Sequence, residues 1–160
     1  MSTFSKKIIL RISLGILILN FLSFAEAQPV KKILVFSKTA GFRHASIAAG
    51  KTMFLQLSGQ HHYAADTTED ASVFTPANLK KYKAVVFLNT TGDVLNDGQQ
   101  DAFKSFIQNG GGYIGIHAAT DTEYDWPWYN ELAGAYFDSH PKPQEATFRV
   151  LDKNFIATEF

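Results

Sequence analysis

Residues 110–121 run Gly110-Gly111-Gly112-Tyr113-Ile114-Gly115-Ile116-His117-Ala118-Ala119-Thr120-Asp121, and the architecture follows from how they end. The glycines stop any helix that precedes them, a short apolar run crosses a core, and polar residues begin abruptly at His117. Two readings of that ending stand side by side. In one, the histidine caps a loop and Asp121 satisfies backbone groups. In the other, the chain turns into a helix after His117, which sets His117 and Asp121 on one face at the end of a buried strand, where they can do chemistry.

Two more runs have the same form. Residues 32–37 are rich in branched apolar side chains and give way to the turn-prone Lys38-Thr39-Ala40-Gly41-Phe42-Arg43, and residues 83–88 stop at Asn89-Thr90-Thr91-Gly92-Asp93. Helical spacing lies between them. From His44 or Ala45 it places Ile47, Met53, Phe54 and Leu57 on one side and ends near Gly59. A second helix starts at Asp97, read as its N-cap, carries Phe103, Phe106 and Ile107, and ends at Asn109 and the glycines. Residues 63–67 are predicted as a strand, 68–78 as a loop around Pro76, 79–82 as a helical turn, 126–133 as a short helix, His140-Pro141 as a loop and 146–151 as a last strand. This alternation predicts an α/β fold, a doubly wound and mostly parallel sheet covered on both faces. Ligands of such sheets bind beyond the carboxyl ends of the strands. Residues 38–44, 89–93 and 117–121 should therefore meet. No helix follows the last predicted strand to cover the sheet, so the domain reads as C-terminally truncated, with exposed apolar surface.

At the other end, Lys6, Lys7 and Arg11 precede an apolar stretch at 12–24, and Ala25-Glu26-Ala27 offers small residues for cleavage before Gln28. These are the three parts of a secretory signal, residues 1–27, ahead of one domain at 28–160. The apolar stretch is shorter than the ~20 residues a spanning helix needs. A secreted or periplasmic protein is expected, with no membrane attachment after cleavage. The 160-residue chain has formal net charge zero and neither a basic stripe nor a basic amphipathic helix, so nucleic acid and membrane surfaces are not expected partners. A small neutral ligand fits, and the oligomeric state is left open. The chain has no cysteine, which excludes disulfides, lipid attachment through cysteine and a thiol nucleophile.

The turn at Ile116-His117-Ala118 has the form of a nucleophile elbow, which projects one side chain above an α/β sheet. Histidine there can be a general base or, when neutral, a metal ligand. His44 and His140 lie in loops that can reach the same rim. With Asp121, the candidates His44, His117 and His140 would suit zinc or another divalent ion, although the spacing matches no metal motif and scattered histidines are the plainer reading. Ser37, Ser46 and Ser139 lack a Gly-x-Ser-x-Gly context. Arg43 either grips a carboxylate or sugar hydroxyls or pairs with a surface acid. Asn89, Thr90 and Thr91 either recognise sugar hydroxyls or cap their turn. Tyr124, Trp126, Trp128 and Tyr129 either hold a sugar face or pack a helix. The glycine run is no phosphate loop, since it precedes its strand and lacks the adjoining lysine and hydroxyl.

Four stretches in order make the chain similar to the ThuA-like family, the trehalose-utilisation proteins. They are Ser37-Lys38-Thr39-Ala40-Gly41-Phe42-Arg43-His44, Val86-Phe87-Leu88-Asn89-Thr90-Thr91-Gly92, the glycine-to-Asp121 run, and Trp128-Tyr129 followed by Leu132-Ala133-Gly134-Ala135-Tyr136-Phe137 and His140-Pro141. The resemblance spans about residues 32 to 160. It implies a flavodoxin-like fold similar to the class I glutamine amidotransferases, and a role in carbohydrate metabolism, on disaccharides or their keto derivatives. Where those amidotransferases carry a cysteine, this chain has His117, so glutamine hydrolysis by a thiol is excluded. The family continues with a further His-Pro turn and an Asp-Glu-Trp-Tyr-like segment; here Asn154-Phe155-Ile156-Ala157-Thr158 stands at the turn and the later segment is absent. Three functions follow. One is an enzyme acting on a sugar-derived substrate. In it His117 serves as base or metal ligand, Asp121 and His44 complete the catalytic set, and Arg43, Asn89, Thr90, Trp128, Tyr129 and His140 bind substrate. The second is a carbohydrate-binding module using the same rim, and the third is an inactive truncated copy.

Overall fold

A computed structural model describes residues 30–158. The predicted signal at 1–27 lies outside the described residues. Four strands form one sheet: β1 (Lys31–Phe36), β2 (Tyr63–Thr68), β3 (Ala84–Leu88) and β4 (Gly112–Ile116), in the order β2-β1-β3-β4 with every neighbouring pair parallel. The chain moves outward from β1 to β2, then crosses back to place β3 on the other side. The gap between β1 and β3 is therefore a topological switch point.

Side chains alternate between the two faces of the central strands. Leu34, Phe36, Val85 and Phe87 join Phe74, Phe103 and Tyr129 in the larger core, under α3 (Asp97–Gln108) and α4 (Pro127–Ala133). Val35, Val86 and Leu88 face the other way and pack on Phe54 of α1 (Ile47–Gln60). The larger core is an aromatic stack: Phe36 meets Phe74 edge-on at 4.7 Å, and Phe87 stacks on Phe103 at 5.2 Å. Each such burial contributes roughly 1.5–3 kcal/mol.

Three expectations need correction. The stretch read as a loop around Pro76 holds a 3-10 turn, Ala71–Val73, and the short helix α2, Pro76–Leu79. Pro76 opens that helix, where its missing N–H and fixed φ do no harm, and the Thr75 hydroxyl accepts from Asn78 N at 3.2 Å. The N-cap of α3 is Asn96, not Asp97. Its side chain accepts from Gln99 N at 3.0 Å while the Gln99 side chain accepts from Asn96 N at 3.0 Å, a capping box. Residues 146–151 form no strand: Phe148 is 93% and Leu151 82% exposed. An alternating pattern needs a neighbouring ladder for its backbone groups, and among the described residues none runs beside it.

Beyond the strand ends the sheet resumes as a second tier. Thr39 bridges Thr91, and Gly92 bridges Thr122, both in parallel. The tier is closed by Ala40 N to Thr91 O and Gly92 N to Asp121 O, each 2.7 Å. Gly92 sits at φ +71°, and a Cβ there would lie 3.1 Å from Ala40 Cβ and 3.2 Å from Gly41 N. Gly92→Ala should therefore cost about 1–2 kcal/mol from the left-handed backbone alone, read as a lower denaturant midpoint at unchanged slope. An unchanged midpoint would show that the tier is slack.

Candidate functional site

The site begins with a paired break in the sheet. Leu88 of β3 lies opposite Ile116 of β4, and the next residue of each strand, Asn89 and His117, is left-handed, with φ 51° and 52°. Asn89 N still donates to Ile116 O at 3.2 Å, so the two strands part just beyond a closed hydrogen bond. Non-glycine residues held in this region cost on the order of 1–3 kcal/mol and cluster at functional sites. After His117 the chain makes a 3-10 turn, His117–Thr120, closed by Asp121 N to Ala118 O at 2.8 Å. At three residues per turn, residues four apart do not eclipse. His117 and Asp121 come together by lining one cavity, not by sharing an α-helical face.

That cavity, of about 310 Å³, is lined by Phe42, His44, His117, Ala118, Thr120, Asp121, Phe137 and His140. His117 is exposed at its mouth, while His44 and Asp121 are half-buried. The ring of His44 meets that of His117 edge-to-face at 4.6 Å and that of Phe42 at 4.9 Å. His44 Nδ1 is buried without a hydrogen-bond partner. Asp121 Oδ1 accepts from the Tyr124 hydroxyl at 2.7 Å. Partial burial, and then the Asp121 carboxylate, push that phenol up to about 12. His140 Nδ1 lies 3.1 Å from Pro141 O. The arrangement can take up and return protons beside two phenyl walls. A slightly larger cavity, about 360 Å³, lies at the opposite end of β3 and β4 between Lys80, Lys83, Phe106 and Gly111, away from the strand ends where such sheets place ligands.

Residues 32–160 match the family model for ThuA, trehalose utilisation. The chain belongs to the ThuA family. Among solved structures it is similar to a ThuA-like protein from Bacteroides uniformis, 30% identical with a TM-score of 0.55, over 65% of this chain and 43% of that one. It is also similar to a ThuA-like protein from Parabacteroides merdae, 23% identical with a TM-score of 0.52, over 63% of this chain and 37% of that one; here the likeness is one of fold. The chain spans less than half the length of either relative. A comparison with curated proteins finds no match.

In this ThuA domain four of the predicted residues meet: His44, His117, Asp121 and His140. Among the described residues, no three His, Asp or Glu side chains approach closely enough to hold a metal ion, so the candidates His44, His117 and His140 share a cavity without forming a ligand set. The other predicted residues stand elsewhere. Arg43 makes a two-pronged pair with Glu69, at 2.8 and 2.9 Å, and Lys51 joins it at 2.5 Å. Arg43 and then Lys51 hold the Glu69 carboxyl down to about 2. Asn89 lines a groove on the other side of His117, its Nδ2 donating to Ser46 Oγ at 2.8 Å. Thr90 is fully buried against Thr122, Oγ1 to Oγ1 2.9 Å. Trp128 packs edge-on against Phe103 under Lys104. Tyr129 is fully buried, donating to Ala119 O at 2.7 Å with the Tyr113 hydroxyl 2.8 Å away. Trp126, Trp128 and Tyr129 therefore pack in or against the larger core, outside the lining of the His44–His117 cavity.

Sequence reasoning missed Phe42 and Phe137, the walls, and Glu123, the brace. Glu123 is fully buried. Its Oε1 accepts from Val94 N and Leu95 N, both at 2.8 Å, and its Oε2 from Gln100 Nε2 at 2.6 Å. Lys38 Nζ holds the other side of the same loop through Val94 O at 2.9 Å. Burial pushes the Glu123 carboxyl up, against the pull of its three donors. A folded-state pKa above the unfolded one means that the native state keeps a proton the unfolded chain has lost, so this group's contribution falls as pH rises. Glu123→Gln keeps an acceptor for the two backbone donors and has no charge to bury. Its stability relative to the wild type should rise on going from pH 4 to pH 8, by denaturant unfolding; a difference constant across that span would contradict the assignment.

Proposed function

We propose that this ThuA domain is an exported carbohydrate-utilisation protein that takes a small neutral sugar derivative into the His44–His117 cavity and acts on it by proton transfer. The observation that carries the reading is the pair of imidazoles at 4.6 Å, one with a buried Nδ1 that has no partner in the protein. A buried polar atom left unpaired costs free energy, and a rotation of the His44 ring on ligand binding would let a ligand hydroxyl satisfy it. Phe42 and Phe137 supply apolar faces for the C–H surface of a sugar.

In this reading His117, displayed by the strained turn, takes the proton from the carbon beside a ketone as the C–H electron pair becomes the C=C bond of an enol, and His44 gives a proton to the ketone oxygen. Asp121 orients the imidazoles, and His140 contacts the ligand from the facing wall. With no cysteine in the chain, the amidotransferase reaction of the related folds has no nucleophile at the elbow. Fold likeness alone is a weak warrant for a reaction, so support comes from the site. Export through residues 1–27 would leave Gln28 as the first residue of the recovered protein.

Calorimetry against a panel of neutral disaccharides, trehalose and keto derivatives among them, with products separated by chromatography and followed by mass spectrometry, tests the reading. The wild type should bind and convert a member of the panel, and His117→Ala should lose at least about a hundredfold in turnover while unfolding cooperatively. Unchanged turnover in that variant would refute His117 as the base. Saturable binding without product would favour a binding module.

A further inference from the structure

The Tyr124 hydroxyl has two acceptors and one proton. It lies 2.7 Å from Asp121 Oδ1 and 2.8 Å from the carbonyl oxygen of Phe137. Both acceptors belong to the candidate cavity: Asp121 is on its floor, and Phe137 starts the wall that ends at His140. Phe137 is also held from its other side, its N–H donating to Thr120 O at 2.8 Å. The wall thus hangs on the elbow turn by one backbone bond and one side-chain bond.

The ring of Tyr124 does not explain its presence. It is 41% exposed and outside both cores, and among the described residues its one aromatic neighbour is Tyr136, at 4.9 Å. Tyr136 fastens the turn at Glu123–Trp126 in which Tyr124 itself sits, its hydroxyl reaching Glu123 O at 2.6 Å and Trp126 O at 2.8 Å. Fastening of the turn is therefore already supplied, and what Tyr124 adds is a link between a cavity carboxylate and a cavity wall. The geometry points to Tyr124 as a positioning residue: its hydroxyl sets the orientation of Asp121 and the placement of the Phe137–His140 wall from one atom. The inference rests on reading this cavity as the sugar site. Hydrogen bonds to a charged group are the stronger kind, so the proton favours the carboxylate and swings to the Phe137 carbonyl when a ligand engages Asp121.

A double-mutant cycle on the full chain tests it, with trehalose as the probe. Tyr124→Phe keeps the ring and its contact with Tyr136. It should weaken trehalose binding about tenfold, and the Tyr124→Phe/Asp121→Asn double variant should lose less than the product of the two single losses, because part of the Tyr124 effect acts through Asp121. Binding like the wild type, or losses that multiply, would overturn the role. A second measurement needs no ligand: the Phe137 amide should exchange its hydrogen about tenfold faster in Tyr124→Phe, because one of the two hydrogen bonds that hold this residue, the one on its carbonyl, is gone. An unchanged rate would overturn the link to the wall. A wild type that binds no disaccharide would instead refute the sugar-site reading, leaving amide exchange to decide the Tyr124 tie.

Discussion

Two parallel strands leave regular structure at the same level, and the rest of the site depends on that. The register that sets Leu88 opposite Ile116 is held by burial: Val86 and Leu88 fill one face of β3, and Val85 and Phe87 fill the other. A slip of one residue would exchange the faces. Because the register cannot slip, the left-handed residues Asn89 and His117 fall side by side. Asparagine tolerates that backbone better than histidine does. Of this pair His117 therefore carries more of the strain, and it is the residue displayed at the cavity mouth.

What keeps the break from unravelling is the tier above it. Threonine hydroxyls and backbone groups knit residues 39–42, 90–92 and 121–123 into a continuation of the sheet, and the buried Glu123 carboxylate accepts the two backbone donors of the Val94 loop. Side chains that resemble ligand-binding groups by type, Thr90, Thr91 and Tyr129, are consumed in this framework. The groups left facing the cavity are imidazoles, phenyl rings and one carboxylate. Rigid support below and unspent acid–base groups above are the requirements of a preorganised site.

The sheet was legible because β1, β3 and β4 are short apolar runs cut off by polar loops, a pattern with few alternatives in a chain that alternates strand and helix. The meeting of residues near His44 and His117 followed from the rule that parallel sheets gather their strand ends. The α3 cap was misread although its signal was present: Gln99 stands three residues after Asn96, and the reciprocal bond selects that residue over Asp97. Residues 146–151 show the limit of periodicity, since alternation specifies which faces a strand would have but not that a partner runs beside it. Trp128 and Tyr129 show another. An aromatic run reads alike whether it stacks on a sugar or on Phe103, and only the fold decides. Phe137 carried no local signal, because it enters the cavity through a return of the chain that no spacing encodes.

The left-handed backbone at His117 is what displays the imidazole at the cavity, and comparing His117→Gly with His117→Ala by denaturant unfolding tests it most directly. At an ordinary position glycine is the less stable of the two by roughly 0.5–1 kcal/mol. With φ at 52°, relief of the left-handed penalty should reverse the order and make the glycine variant more stable by about 1 kcal/mol. An alanine variant as stable as the glycine variant, or more so, would show that the elbow is not strained and that nothing in the backbone singles out His117.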